Sequence, residues 1–101
     1  MENDNVNRIM LILEKAIKDN NYYDDNNRVI KLYNLLSKLN IETLNIETLE
    51  FLSKEIVYLE TEYDEFNELS YYFNPLYVKI KRRIHPNDVK KIREKNKIKE
   101  Q

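Results

Sequence analysis

The sequence predicts an all-α protein, a small helical bundle built on one long central helix over about residues 43–73. Gly is absent from the 101 residues and Pro occurs twice, whereas the tight turns of most β architectures need these residue types. A chain of this length supplies enough side chains for one modest core. The long helix is predicted because apolar residues recur at alternating spacings of three and four, the pattern of a supercoiling seam. This apolar seam consists of Leu49, Leu52, Ile56, Leu59, Tyr63 and Phe66, and it continues less regularly through Leu69 and Phe73.

A first helix is expected over residues 4–19, where apolar residues again recur at helical spacing. Asp4 or Asn5 can cap its start, because their side chains accept hydrogen bonds from the free amides of the first turn. Asn20 or Asn21 can end it, since Asn tolerates the left-handed backbone conformation. The Asn- and Asp-rich stretch that follows is expected to be a solvated loop.

A second helix is expected over residues 27–39, followed by a pentapeptide that is repeated without change. Residues 40–44 and 45–49 both read Asn-Ile-Glu-Thr-Leu, a period that does not match a helix and indicates a local duplication. Either Thr43 or Asn45 can cap the long helix. The short connection predicts that the second helix and the long helix form an antiparallel hairpin.

The distal half of the long helix is aromatic, and the two shorter helices are too short to cover it. Seven of the eleven aromatic residues lie between Tyr58 and Tyr77. Aromatic side chains are enriched in interface hot spots, so we expect this half to bind a partner protein or a second copy of the chain. The expected partner-binding residues are Leu59, Tyr63, Phe66, Leu69, Tyr72, Phe73 and Tyr77.

Pro75 is expected to end the long helix, because Pro disfavours helical geometry in the residue before it. Residues 76–84 fit either strand alternation or a helix, and a helix is favoured because a lone strand has no partner in this chain. A second break is expected at His85. The predicted organisation is therefore a helical domain at 1–84 and a basic C-terminal helix or tail at 85–101.

The charge is divided along the chain. Residues 42–73 carry nine acidic side chains against one basic, and residues 74–101 carry ten basic against three acidic. The basic segment 79–99 can neutralise phosphates, so a nucleic-acid-binding protein is the alternative function. In the competing interpretation, the basic segment folds back on the acidic helix and offsets its charge. The candidate nucleic-acid-binding residues are Lys79, Lys81, Arg82, Arg83, Lys90, Lys91 and Arg93.

The acidic face of the long helix suggests a second alternative. Nine carboxylates along a rod resemble a phosphate backbone and can occupy a nucleic-acid-binding partner. An ordinary solvated helix face has the same composition.

An enzyme is not expected, because the chain has one His, no Cys and no Gly-rich loop, and a nucleophile with its base needs such residues. His85 is expected to be a cap or a surface residue. No metal or other cofactor is expected, since Glu-x-x-His pairs are absent and Asp24-Asp25 lack the Gly and Glu of a calcium loop. No apolar run is long enough to span a membrane and no basic leader is present. The chain is expected to be a cytoplasmic, non-enzymatic regulator or inhibitor.

The segment Leu52-Ser53-Lys54-Glu55-Ile56-Val57 resembles the Leu-Ser-Gln-Glu-Leu-Asp segment of the small sporulation aspartyl-phosphate phosphatases. The resemblance covers residues 28–63 and implies a helical hairpin there. The Asp that this family requires is Val57 in this chain, so the resemblance does not imply phosphatase activity.

Overall fold

Four α-helices make up most of residues 2–85, the part of the chain that the computed structural model describes. No strand occurs in this range, so the all-α bundle prediction is confirmed. Short 3-10 turns at Tyr23–Asp25, Ile41–Thr43 and Asp64–Phe66 lie in the connections. The helices are α1 (Glu2–Asp19), α2 (Asn26–Ser37), α3 (Ile46–Glu62) and α4 (Leu69–Ile84).

Helices α2 and α3 form the predicted antiparallel hairpin. Arg28 pairs with Glu55, and three residues later Lys31 lies over the ring of Phe51. Residue numbers therefore rise along α2 as they fall along α3.

Helix α4 runs back along α3 in the same manner. Glu60 of α3 accepts a hydrogen bond from the backbone of Ser70, whereas Glu50 accepts one from Tyr77. Helix α1 packs between α2 and α4. The bundle therefore has one end formed by the connections at residues 20–25 and 63–68, and an opposite end where α4 finishes beside residues 41–44.

One continuous core joins the four helices. The apolar faces of α1 and α2 meet those of α3 and α4, and every residue of the apolar seam from Leu49 to Leu59 is fully buried. The core residues are Val6, Ile9, Leu13, Ala16, Tyr22, Val29, Leu32, Leu36, Leu44, Leu49, Leu52, Ile56, Leu59, Phe66, Leu69, Phe73, Leu76 and Ile80.

The prediction of one helix over residues 43–73 is wrong, because the chain leaves the helix at Tyr63. Tyr63 is extended, with φ −138° and ψ 124°, and a 3-10 turn then leads into α4. The apolar spacing continues through the break, so periodicity alone does not reveal it. In an unbroken helix the distal aromatic residues face water. Folding back buries Phe66 and Phe73, and each buried side chain of this size contributes about 1.5–3 kcal/mol.

Pro75 does not end a helix either; it lies inside α4. Pro removes the N–H that bonds to the carbonyl four residues earlier, here that of Tyr71. Both residues are exposed, so water can reach this carbonyl. Residues 76–84 are helical, as favoured by the sequence.

Asparagine side chains set several of the helix ends. Asn45 caps α3, since its side chain accepts a hydrogen bond of 2.8 Å from the amide of Thr48. Asn20 follows α1 in the left-handed conformation, with φ 51°, as its residue type suggested. Helix α1 begins at Glu2, two residues before the predicted start.

Candidate functional site

The apolar seam that was expected to bind a partner lies largely inside the bundle. The expectation of an uncovered half-helix is therefore wrong, because α1 and the connection after it cover the distal aromatic residues. Core side chains of this kind cannot contact a partner while the bundle is folded. Leu59, Phe66, Leu69 and Phe73 are buried, whereas Tyr63, Tyr72 and Tyr77 are half-buried and pack against the core.

The covering residue is Tyr22. Its ring centroid lies 4.9 Å from that of Tyr63 and 5.1 Å from that of Phe66, and Tyr63 and Phe66 are themselves 5.9 Å apart. Edge-to-face and tilted pairs at these distances are favourable beyond their buried area. This cluster joins the connection after α1 to the turn before α4.

Asp25 fixes the same end of the bundle through hydrogen bonds. Its carboxylate accepts from the Tyr63 hydroxyl at 2.5 Å and from the Tyr58 hydroxyl at 3.1 Å. The hydrogen bond to Asp25, with burial second, raises the pKa of Tyr63 to about 12. Burial, with this hydrogen bond second, raises the pKa of Tyr58. Both phenols therefore remain protonated donors at neutral pH.

Arg28 connects α2 with α3 beside these tyrosines. Its Nε lies 2.6 Å from Oε2 of Glu55, an ion pair without hydrogen-bond geometry. The guanidinium carbon lies 3.7 Å from the centroid of the Tyr58 ring, within the range of a cation–π contact. Glu55 is therefore not available as part of a free acidic face.

Lys81, one of the candidate nucleic-acid-binding residues, pairs with α3. Its Nζ lies 3.0 Å from Oε1 of Glu50, which also accepts from the Tyr77 hydroxyl at 2.8 Å. The hydrogen bond from Tyr77, followed by that from Lys81, lowers the pKa of Glu50. The hydrogen bonds to Glu50 and Tyr77 raise the pKa of Lys81.

Arg83, a second candidate, binds the chain's own backbone. It donates to the carbonyls of Ile41 at 2.9 Å and Leu44 at 2.8 Å, and also to that of Glu42. These carbonyls belong to the irregular connection between α2 and α3 and have few helical partners. Arg83 therefore joins the end of α4 to this connection.

The outward face of α4 is exposed to solvent and includes Arg82, a third candidate nucleic-acid-binding residue. Tyr71 is 77% exposed and Val78 45% exposed. Pro75 and Arg82 are exposed on the same face, since the spacings of four, three and four place all four residues in one row. We call this row the outer face of α4. Lys79 is also exposed, whereas Lys90, Lys91 and Arg93 lie outside the described residues.

Comparison with known proteins gives no match. No family model, curated protein or solved structure is significantly similar to this chain. Any function must therefore be argued from the residues themselves.

Sequence reasoning did not predict the outer face of α4. Once α4 is known to continue through Pro75, the spacing of Tyr71, Val78 and Arg82 follows directly from the sequence. The missing information was the helix boundary.

The nine carboxylates of residues 42–73 do not lie along a single rod. Three of them, Glu50, Glu55 and Glu60, contact other parts of the chain, and the helix that carries them breaks at Tyr63. Within residues 2–85, no group of three or more acidic or His residues is placed to hold a metal ion. No helix in this range is long and apolar enough to cross a membrane.

His85 ends α4, and its backbone N–H donates to the carbonyl of Lys81 at 2.8 Å. The expectation that His85 is a cap or surface residue is confirmed for the cap. The predicted division at 84/85 stays a prediction, because nearly all of the second part lies outside the described residues.

Proposed function

We propose that this chain is a small non-enzymatic binding protein that binds single-stranded nucleic acid through the outer face of α4 and the basic segment 79–99. The observation that supports this function is the position of Tyr71 and Arg82 in one exposed row that leads into the most basic part of the sequence. An exposed aromatic ring can stack on an unpaired base. Arg82 lies about 16 Å further along the helix, where it can contact a phosphate further along the same strand.

Charge within the outer face supports the same proposal. Arg82 makes no ion pair or hydrogen bond within residues 2–85, in contrast to Lys81 and Arg83. Six further basic side chains follow at positions 90–99. A segment of this composition binds phosphates with an affinity that falls as salt rises.

The test is fluorescence anisotropy of labelled single- and double-stranded oligonucleotides over a salt series. The wild-type protein should bind the single strand more tightly, with affinity decreasing steadily with salt. Arg82→Glu should weaken binding, whereas Lys54→Glu on α3 makes the same change in net charge and should have a much smaller effect. No binding of either oligonucleotide at low salt would refute the proposal.

A second pair of variants tests base stacking. Tyr71→Ala should weaken single-strand binding by about fivefold or more, since each stacked base contributes about 1–3 kcal/mol. Tyr23→Ala removes a ring that is 90% exposed in the connection between α1 and α2, outside the outer face of α4, and should leave affinity unchanged. Equal losses from both variants would contradict a role for the outer face.

A protein partner or self-association is the second candidate function, favoured by the apolar part of the same face. Tyr71 is a residue type that interfaces favour, and Pro75 and Val78 extend the apolar surface of the same exposed row. Sedimentation equilibrium tests the self-association form directly. A dimer that dissociates with Val78→Asp would support this form, and a monomer at all concentrations would refute it.

A further inference from the structure

The break between α3 and α4 is confined to one extended residue, Tyr63. The residues that follow it are already right-handed. Residues 64–66 form a 3-10 turn, and Asn67 and Glu68 have φ angles of −67° and −87° with ψ angles of −11° and −9°. Neither Gly nor Pro occurs between residues 46 and 74. A change of Tyr63 to helical angles of about −63° and −42° would therefore join α3 and α4 with only small adjustments in the turn.

The buried face keeps one helical register across this break. Apolar residues recur at spacings of three and four through both helices, and the strict alternation of the two spacings is interrupted once, after Phe66. Two helices that never join have no physical reason to share one register, so the sequence suits a continuous helix as well as the hairpin. The residues of this register, all buried apart from the half-buried Tyr63, are Leu49, Leu52, Ile56, Leu59, Tyr63, Phe66, Leu69, Phe73, Leu76 and Ile80.

The contacts that hold the break come from the connection between α1 and α2. The Tyr63 hydroxyl donates to Asp25 at 2.5 Å, and the ring of Tyr22 packs edge-on against that of Tyr63. A change of φ at Tyr63 from −138° to the helical value turns its side chain by about 75°, away from Asp25. Tyr58 donates to the same carboxylate but lies inside α3, where this change does not move it. The Tyr63–Asp25 hydrogen bond therefore stabilises only the bent form.

We propose that α3 and α4 join into one helix when the Tyr63–Asp25 hydrogen bond is lost, and that two copies of the chain then exchange α4. One helix over residues 46–84 is about 58 Å long, and in a single copy its second half leaves the core and exposes Leu69 and Phe73.

The surface that fits this exposed half is the one that α4 leaves, on α1 and α3 of a second copy. Exchange recreates the contacts of the monomer, including the hydrogen bond from Tyr77 to Glu50, now between two chains. Domain swapping of this kind costs little, because only the connection differs between the two forms. While the Tyr63–Asp25 hydrogen bond is intact, the bent monomer is the main form.

The test is sedimentation equilibrium after refolding from urea at about 1 mM, near the effective concentration that a short connection provides. Every sample carries Val78→Asp, which removes self-association through the outer face of α4. Tyr63→Phe should lower the dissociation constant of the dimer by about tenfold or more, because the monomer alone loses a hydrogen bond to a charged group. Tyr58→Phe is the matched control. It removes a hydrogen bond to the same carboxylate from both forms and should leave the dissociation constant nearly unchanged.

Asp64→Pro assigns the dimer to the break. Pro disfavours helical geometry in the residue before it, so this change keeps Tyr63 extended. The backbone N–H of Asp64 donates no hydrogen bond within residues 2–85, so the bent form loses none. Added to Tyr63→Phe, Asp64→Pro should return the dissociation constant to that of the control, with circular dichroism verifying that each variant is folded.

Three results would each overturn the proposal. These are monomers in every sample at about 1 mM, equal dissociation constants for Tyr63→Phe and Tyr58→Phe, and a dimer that Asp64→Pro leaves unchanged. The experiment contains no nucleic acid, so its result is independent of the proposed function.

Discussion

Phe66→Ala tests whether the aromatic half of the apolar seam belongs to the core of a single chain. Phe66 has no exposed surface and contacts Tyr22 and Tyr63 with its ring. Replacement of a buried Phe by Ala typically costs about 3–5 kcal/mol, a large part of the about 5–15 kcal/mol that stabilises most domains. Urea denaturation followed by circular dichroism should therefore show a midpoint lower by about 2 M, for a slope of about 1.5–2 kcal/mol per molar urea.

Tyr71→Ala is the matched control, because it removes an aromatic side chain from α4 that is mostly exposed. Its cost should stay within about 0.5 kcal/mol. Protein concentration provides a second check, since a side chain buried by another copy makes the midpoint concentration-dependent. A loss below about 1 kcal/mol for Phe66→Ala would refute the single-chain core. A midpoint that rises with concentration in the Val78→Asp variant, which removes self-association through the outer face of α4, would refute it as well.

Three further predictions follow from individual contacts. The pKa of Tyr63 is about 12 in the folded protein and 10.0 without its neighbours, so the stability that it contributes is complete below pH 10 and is lost as the pH rises towards 12. The thermal unfolding midpoint should therefore fall between pH 9 and 11, and this fall should be smaller in the Tyr63→Phe variant. The pKa of Glu50 is lowered, so its contribution is present above pH 4.5 and is lost as the pH falls. Glu50→Gln should therefore flatten the acid limb of the same profile. Arg83→Ala removes three hydrogen bonds to carbonyls and should cost about 1–2 kcal/mol, whereas Arg82→Ala should be neutral in urea denaturation.

Local sequence was sufficient to predict the all-α class, the helices α1 and α2, and most of the core. The spacing of Ile9 and Leu13, of Val29 and Leu32, and of the apolar seam identifies the buried faces because helical side chains repeat every 3.6 residues. That information is local, and the burial of these residues agrees with it.

The break at Tyr63 could not be predicted in the same way. Neither Gly nor Pro marks it, and the spacing of Leu59, Tyr63 and Phe66 suits a continuous helix. The break is stabilised by contacts with Tyr22 and Asp25, about forty residues earlier in the chain. Tertiary contacts therefore override the local preference of residues 59–66 for a helix, and no sequence pattern within this segment indicates the break.

The repeated pentapeptide shows the same limit. Asn40 and Asn45 both use the side chain as a cap, accepting from Glu42 and Thr48 respectively. The first copy nevertheless forms only a 3-10 turn, whereas the second begins α3. Identical residues give different structures because different residues follow each copy. The first copy is followed by Asn45 in an extended conformation, whereas the second copy continues into the apolar helix α3.

The fold places only part of the charge division along the sequence at the two ends of the bundle. The connections around residues 19–25 and 62–68 carry seven acidic side chains, and α4 finishes with basic ones at the opposite end, where Glu42 and Glu50 also lie. Sixteen residues of α4 span about 24 Å, more than twice the Debye length of about 10 Å at 0.1 M salt. At that ionic strength the acidic end therefore does not neutralise the charge of Arg82. The Glu50–Lys81 pair offsets charge locally, whereas Arg82 is exposed and has no ion pair within residues 2–85.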